Sequence, residues 1–537
     1  IITQDAFEKP AEICKKYPIT SSESTEGKTY LSCSWSVSNS LDREKYLAFE
    51  VLDYALLNSQ GAPVKEALLS SGIGKDIQGG FDNGVYQPIF SVIAKNAESA
   101  QQEQFLTVIR ETLEKQVKEG ISQEALLASI NNAEFKYRES DYGNFPKGLI
   151  LGLQAMDSWL YDDMEPFMHL QLLDTYRFLR EQIGTGYYEN LVQKYLLDNA
   201  HIAVVRMEPE QGLNAKDEQA LADKLQKYKD SLSDEELDEI IEFTKHLKEY
   251  QEEPNTQEEL ESIPMLSRSD IESKGEKFNN QELETDGIPV LWHDLNSNGI
   301  TYLDLMFDAK HIPEELVPYL GVLKLLVGYM DTDKYGYTAL ANEINLHTGG
   351  IHNSVTIFAN AEDTYKYQVK FEMRISVLEE KLEKAMELAQ SMLLHTDFSD
   401  DRRLYDLLAQ MKSALQGDLS SSGHLVSATR ALGYYLPRSR YSDMTTGIDF
   451  YRLVDRLESD FENEKENLKQ KLTQLMHMLF RPEKLMVNVT CKEVGCKAVQ
   501  EQISALKPQL FTDLIEDHPC EISCIPQNEG FMDASQV

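Results

Sequence analysis

Residues 316–330 read Leu-Val-Pro-Tyr-Leu-Gly-Val-Leu-Lys-Leu-Leu-Val-Gly-Tyr-Met, with Lys324 as the lone charge. The run is shorter than the ~20 residues of a membrane helix and too apolar for a surface one, so it predicts a helix buried on nearly every side. Such a helix needs a sheet or other helices to cover it. Pro289–Leu295 and Ile300–Asp308 read as strands ahead of it. Behind it come a loop at Gly349-Gly350, a strand over Tyr365–Val377, and a helix with Leu378, Leu382, Met386, Ala389 and Leu393 on one face. One long helix around Leu453–Phe480 then leads into a strand at Met486–Thr490. Strands and helices in this order specify an α+β unit.

The N-terminal part repeats the theme. Leu31, Cys33, Trp35 and Val37 alternate with polar residues, the period of a strand with one buried face. Tyr86–Ala94 and His201–Met207 read as further strands. Phe105, Val108, Leu113 and Val117 recur at helical spacing, with Gly120 as a stop and Ser122 as the cap of the next helix. Between the two units the composition shifts, and Glu208–Glu261 holds 18 acidic and 6 basic residues. Leu221, Leu225, Tyr228 and Leu232 form one apolar stripe, and Leu237, Ile240, Ile241 and Leu247 another. Ser233-Asp-Glu-Glu236 between them has the pattern of a capping box. The expected layout is a linker over 1–29, an α+β domain over 30–207, an acidic helical hairpin over 208–286, a second α+β domain over 287–505, and a link over 506–537.

The chain has 537 residues, 42% of them apolar, and a formal charge of −38. A polyanion repels phosphate backbones and anionic lipid, so nucleic-acid and membrane partners are excluded, while basic peptides fit. The acidic residues of the hairpin read as a solvated face. The opening Ile1-Ile-Thr-Gln-Asp has neither a basic nor an apolar signal region, which points to a processed chain or a cut piece. Six scattered cysteines favour a reducing compartment.

Eleven histidines invite a search for metal. Neither H-E-x-x-H nor H-x-x-E-H occurs, so no helix carries two imidazoles and a general base on one face. His246 with Glu249, and His311 with Glu314, each lack the second histidine. His347 and His352 flank the Gly349-Gly350 turn with no carboxylate or thiol close in sequence, and read as structural. Cys491 and Cys496 with Cys520, Cys524 and the neighbouring His518 could supply four soft zinc ligands, but their spacing departs from the usual knuckle and they read as unligated thiols. No nucleophile elbow, phosphate loop or dinucleotide fingerprint is present. These residues alone assign no catalytic, cofactor or metal residue.

Several long stretches resemble the presequence protease and falcilysin branch of the pitrilysin/insulinase peptidases. Asn58–Gly74, and Phe135–Asp163 with its Arg138-Glu139, Pro146-Lys-Gly148-Leu and Trp159-Leu-Tyr161-Asp162, are similar to the second domain of that family. Leu346–Ile351, Ser422–Arg430 and Gly447–Tyr451 are similar to the third. The resemblance implies two related domains of the pitrilysin/insulinase type joined by the hairpin. It also implies that the zinc ligands lie in a first domain, outside this chain, and that Gly530–Val537 opens a fourth. The 316–330 helix stands where the zinc helix would, without histidine. On this reading the chain is the non-catalytic centre of a zinc metallo-endopeptidase for unstructured peptides, forming chamber wall and hinge in the cytoplasm of a bacterium. It would be inactive alone and bind no zinc itself. Its partners would be peptide, the first and fourth domains, and, through surfaces left open, a second copy. A non-enzymatic peptide-binding scaffold that lost its zinc domain, and a zinc module built on the C-terminal cysteines, are the competing readings.

Overall fold

The computed structural model describes residues 3–20, 23–275, 280–297, 299–515, 521–524 and 526–530. One compact unit holds the described residues of 26–208 and 280–530, and a second is centred on 209–275.

The first sheet contains β1 (Ala11–Ile19), β2 (Thr29–Ser36), β3 (Asp76–Asp82), β4 (Ile89–Ala97) and β5 (Ile202–Gln211), in the order β1-β5-β2-β4-β3. β2 runs antiparallel to both neighbours, with Cys33 opposite Val92 on one side and Val204 on the other. The alternation of Leu31, Cys33 and Trp35 is therefore that of a central strand with one face in the core, as all three are buried. The expected linker over 1–29 contains a strand, β1, whose Lys15-Lys16 and mostly exposed side chains hid it from a reading based on apolar alternation.

Around this sheet lie α1 (Arg43–Asp53), α2 (Pro63–Ser70), α3 (Gln102–Glu119), α4 (Gln123–Glu139), α5 (Lys147–Trp159), α6 (Leu173–Glu181) and α7 (Tyr187–Val192). Asp42 caps α1 by accepting from the Lys45 amide at 3.1 Å, and Ser122 caps α4 by accepting from Ala125 at 3.2 Å. Gly120 ends α3 at φ 91°, a conformation that favours glycine. The buried stripe of α3 is Phe105, Ile109 and Leu113, every fourth residue.

The acidic unit supplies α8 (Leu213–Ser231), α9 (Asp234–Glu252) and α10 (Gln257–Ser262). In it Ser233 and Glu236 form the reciprocal capping box, at 3.2 and 2.8 Å. The apolar stripes there are largely exposed.

The second sheet has β6 (Asn280–Thr285), β7 (Ile288–Asp294), β8 (Ile300–Asp308), β9 (Gly350–Ala359), β10 (Tyr367–Leu378) and β11 (Leu485–Cys491), ordered β6-β7-β11-β8-β10-β9. β11 is parallel to β7 and antiparallel to β8. The helices that accompany it are α11 (Val317–Leu326), α12 (Tyr337–His347), α13 (Leu382–His395), α14 (Asp401–Ser421), α15 (Gly423–Gly433), α16 (Pro437–Thr446), α17 (Ile448–Ser459), α18 (Phe461–Leu479) and α19 (Glu493–Leu506).

The apolar run 316–330 is helical only through Leu326. Val327 turns to an extended conformation and Gly328 takes φ 92°, so the last residues leave the helix axis. Within α11, a Cβ on Gly321 would stand 2.6 Å from Phe450 and 2.8 Å from the Thr445 carbonyl, so glycine lets this helix approach its neighbours. The expected long helix over Leu453–Phe480 is two, α17 and α18, separated at Asp460 (φ −119°, ψ 36°).

The two sheets' surroundings meet inside the one unit through small residues and polar bonds. A Cβ on Gly349 would fall 1.9 Å from Phe135, and one on Gly61 (φ 72°) 2.0 Å from Thr338 Oγ1. Asn345 bonds Tyr54 and accepts from Asn132 at 2.9 Å. Lys65 donates to Gln410 at 3.0 Å, Ser413 to Asp76 at 3.1 Å, and Arg403 to Gln60. Buried Glu458 on α17 receives Lys75 from the other side and Lys412 from α14. Gly530–Val537, read as an opening strand, lies outside the described residues beyond Gly530.

Candidate functional site

The residues singled out as metal candidates do not converge. His246 and Glu249 are exposed on α9. His311 bonds the Met478 carbonyl through Nε2 at 3.0 Å, and Glu314 accepts from the Ser523 amide at 3.4 Å. His347 ends α12 with Glu343 3.8 Å away, while His352 lies on β9 opposite Arg374. Burial lowers the pKa of both rings. Cys491 and Cys496 are buried free thiols, and burial raises both pKa values, that of Cys491 to about 12, which disfavours the thiolate that a metal needs. Cys524 is half-buried, and Cys520 and His518 lie outside the described residues. Among the described residues no group of three or more His, Cys, Asp or Glu is placed to hold a metal ion.

The surface that stands out is α5. Its sequence, Lys-Gly-Leu-Ile-Leu-Gly-Leu-Gln-Ala-Met-Asp-Ser-Trp, is apolar enough for a core, yet only Ala155 and Ser158 are buried. Leu149, Leu153, Met156 and Leu160, spaced four, three and four apart, form one exposed stripe, with Leu153 56% and Leu160 65% accessible. Phe145, Trp159, Met164 and Phe167 extend it at the two ends. Contiguous exposed apolar groups on this scale mark an interaction surface.

The opposite side of α5 is fixed by polar bonds. Ser158 Oγ donates to the Glu165 carbonyl at 2.6 Å and closes the turn after the helix. Asp157 accepts from the Tyr46 hydroxyl at 2.8 Å, and burial, against that bond, raises its pKa. The Tyr46 ring stacks on His169 at 3.8 Å, and His169 Nε2 bonds the Ser40 carbonyl at 2.9 Å. Tyr86, from the loop before β4, packs on Tyr161 with ring centres 5.0 Å apart. In sequence, Asp141 precedes the helix and Asp162, Asp163 and Glu165 follow it. The sequence could not show the exposed stripe, because an apolar helical run is normally core, and its exposure is a tertiary property.

Two family models match the chain: the "Peptidase M16 inactive domain" over residues 3–133, and the associated domain of subfamily C of the same peptidases over residues 207–457. The chain is 35% identical over 534 residues to Protein HypA of Clostridium perfringens, covering 99% of this chain and 55% of that protein. It is 26% identical over 522 residues to Presequence protease 1, chloroplastic/mitochondrial, of Arabidopsis thaliana, covering 96% of this chain and 48% of that protein. To the mitochondrial Presequence protease of Yarrowia lipolytica it is 25% identical over 462 residues, or 84% of this chain and 45% of the other. The chain thus spans about half the length of the curated relatives it matches. On these matches, with an α+β fold of two sheets, it belongs to the presequence protease branch of the pitrilysin-type peptidases.

Proposed function

We propose that this chain is the non-catalytic centre of a zinc-dependent metallo-endopeptidase that degrades unstructured peptides, and that α5 lines part of the wall along which the peptide lies. The observation that carries the reading is the exposed stripe Leu149, Leu153, Met156 and Leu160. Apolar side chains of an extended or loosely helical peptide bury on the stripe, while basic ones face a chain of net charge −38. The match of residues 3–133 to the inactive domain supports a positioning role. Zinc needs about four ligands at tetrahedral positions. The described residues do not fit it, so no step is assigned to zinc within this chain.

The test is fluorescence anisotropy of a labelled basic, unstructured peptide titrated with the chain. Saturable binding that Leu153→Asp weakens by about tenfold is expected, as ~1.5 kcal/mol of apolar burial is lost. No saturable binding, or binding indifferent to Leu153→Asp and Leu149→Asp, overturns the wall assignment. Self-association through the same stripe would appear in sedimentation as a dimer that Leu153→Asp dissolves.

The scaffold reading also rests on the inactive-domain match, and it parts from the first at the level of the whole gene product. Chelator-sensitive peptide cleavage by that product supports the peptidase; binding without cleavage supports the scaffold. The five described cysteines are all free thiols, which supports the bacterial cytoplasm as the compartment.

A further inference from the structure

Far from α5 in sequence, α11, α17 and α18 enclose an open pocket of about 290 Å³. Its wall includes Tyr319 of α11, Arg452 and Arg456 of α17, Lys471 of α18, and the carboxylates Glu315 and Asp449. Three cations converge here in a chain with 52 basic and 90 acidic residues. Asp449 is already engaged by Arg430 at 3.0 Å, by Arg440, and by Arg452 at 3.3 Å. Arg456 uses Nε toward Glu464 at 3.3 Å, and its side chain, still 57% accessible, lines the pocket. Lys471 differs from all of these, because among the described residues no carboxylate lies within 4.0 Å of its ammonium.

The second observation is the state of Tyr319. Its side chain is buried, 3% accessible, and its hydroxyl accepts from Lys471 Nζ at 3.0 Å and from Arg456 Nη2 at 3.5 Å. The Lys471 ammonium also stands 4.2 Å from the centre of the Tyr319 ring. A phenol that accepts from two cations has its own proton left to donate, and no described residue accepts it. One O–H donor, one ammonium and one guanidinium thus belong to side chains that line the same space, and all three want a negatively charged oxygen.

We infer that this pocket is a binding site for a small oxyanion, a phosphate group or a carboxylate, held by Lys471, Arg456 and the Tyr319 hydroxyl. Glu315 is the wall carboxylate that opposes it. The site lies apart from α5 and does not depend on the peptide reading.

The test is calorimetric titration of the whole chain at low ionic strength with inorganic phosphate, and in parallel with acetate. Saturable binding of at least one is expected; the tighter of the two identifies the natural ligand as phosphate-bearing or as a carboxylate. Tyr319→Phe, which keeps the buried ring, and Lys471→Met should each weaken binding by about tenfold, the loss of one charge-assisted hydrogen bond. Glu315→Gln should tighten it, a direction that mere loss of packing cannot produce. If Lys471→Met does not fold, Tyr319→Phe and Glu315→Gln decide. No heat of binding from either anion up to about 10 mM, or binding that Tyr319→Phe and Glu315→Gln both leave unchanged, overturns the inference.

Discussion

His169 shows how a single side chain can govern the acid limit of a fold. Its ring is buried against Tyr46, and burial, reinforced by Arg43 and only partly countered by the bond to Ser40, lowers its pKa to about 4. The unfolded chain would hold this proton near the ordinary 6.5, so the folded state binds it more weakly. Stability from this residue is full above 6.5 and is lost as pH falls toward 4, by roughly 3 kcal/mol in all. Asp53, raised to about 6 by burial, acts in the opposite sense. The quantity to measure is therefore the difference in denaturation free energy between the wild type and His169→Phe at about pH 7 and about pH 4. The wild type should lose more on acidification; equal losses would mean that the ring takes up a proton without cost. Nothing in the sequence marks this histidine among the eleven, since its character comes from Tyr46 and Ser40, more than a hundred positions away.

Between elements, Glu458 on α17 joins α14, through Lys412, to the loop before β3, through Lys75. It is buried on α17, and although burial raises its pKa, hydrogen bonds from Lys75 and Lys412 outweigh that effect and hold it below the usual carboxylate range. Glu458→Gln removes the charge and leaves both ammonium groups facing a neutral amide. A loss of about 2 kcal/mol in urea denaturation is expected, because Lys75 is half-exposed and can rehydrate. Should Glu458→Gln match the wild type, the contact between the two sheets' surroundings rests on Gly61 and Gly349 instead. Such contacts are not written in local pattern, whereas many elements are. β8 and the Ser233 capping box follow from alternation and from cap chemistry. β9 escaped because Gly349-Gly350 read as a loop, and β3 because Gly79-Gly80 interrupt its apolar alternation, although in each case glycine allows a close approach in or beside a strand. The break at Asp460 escaped because Leu453, Leu457, Phe461 and Leu468 keep helical spacing across it.

For the molecule as a whole, 90 acidic side chains against 52 basic ones set the long-range field. Raising ionic strength from about 0.01 to 0.15 M shortens the screening length from ~30 to ~8 Å and relieves repulsion that favours the unfolded chain. The thermal midpoint should rise by several degrees over that range, while association with a basic peptide slows; a flat midpoint would mean that local ion pairs already cancel the excess charge. The α+β class was legible in the sequence because two separate runs of strand and helix periods each close a core. The exposure of α5 and the grouping of Tyr319, Arg456 and Lys471 were not, since each joins residues whose neighbours in space are remote in the chain.

The position of β11 bears on synthesis at the ribosome. This strand, near residue 490, fills the gap between β7 and β8, laid down nearly two hundred residues earlier, whereas the first sheet is complete once β5 emerges. The segment through β5 can consolidate early, while the two flanks of the later sheet wait with bare edges until the residues of β11 have been made. That interval is when a chaperone has most to do.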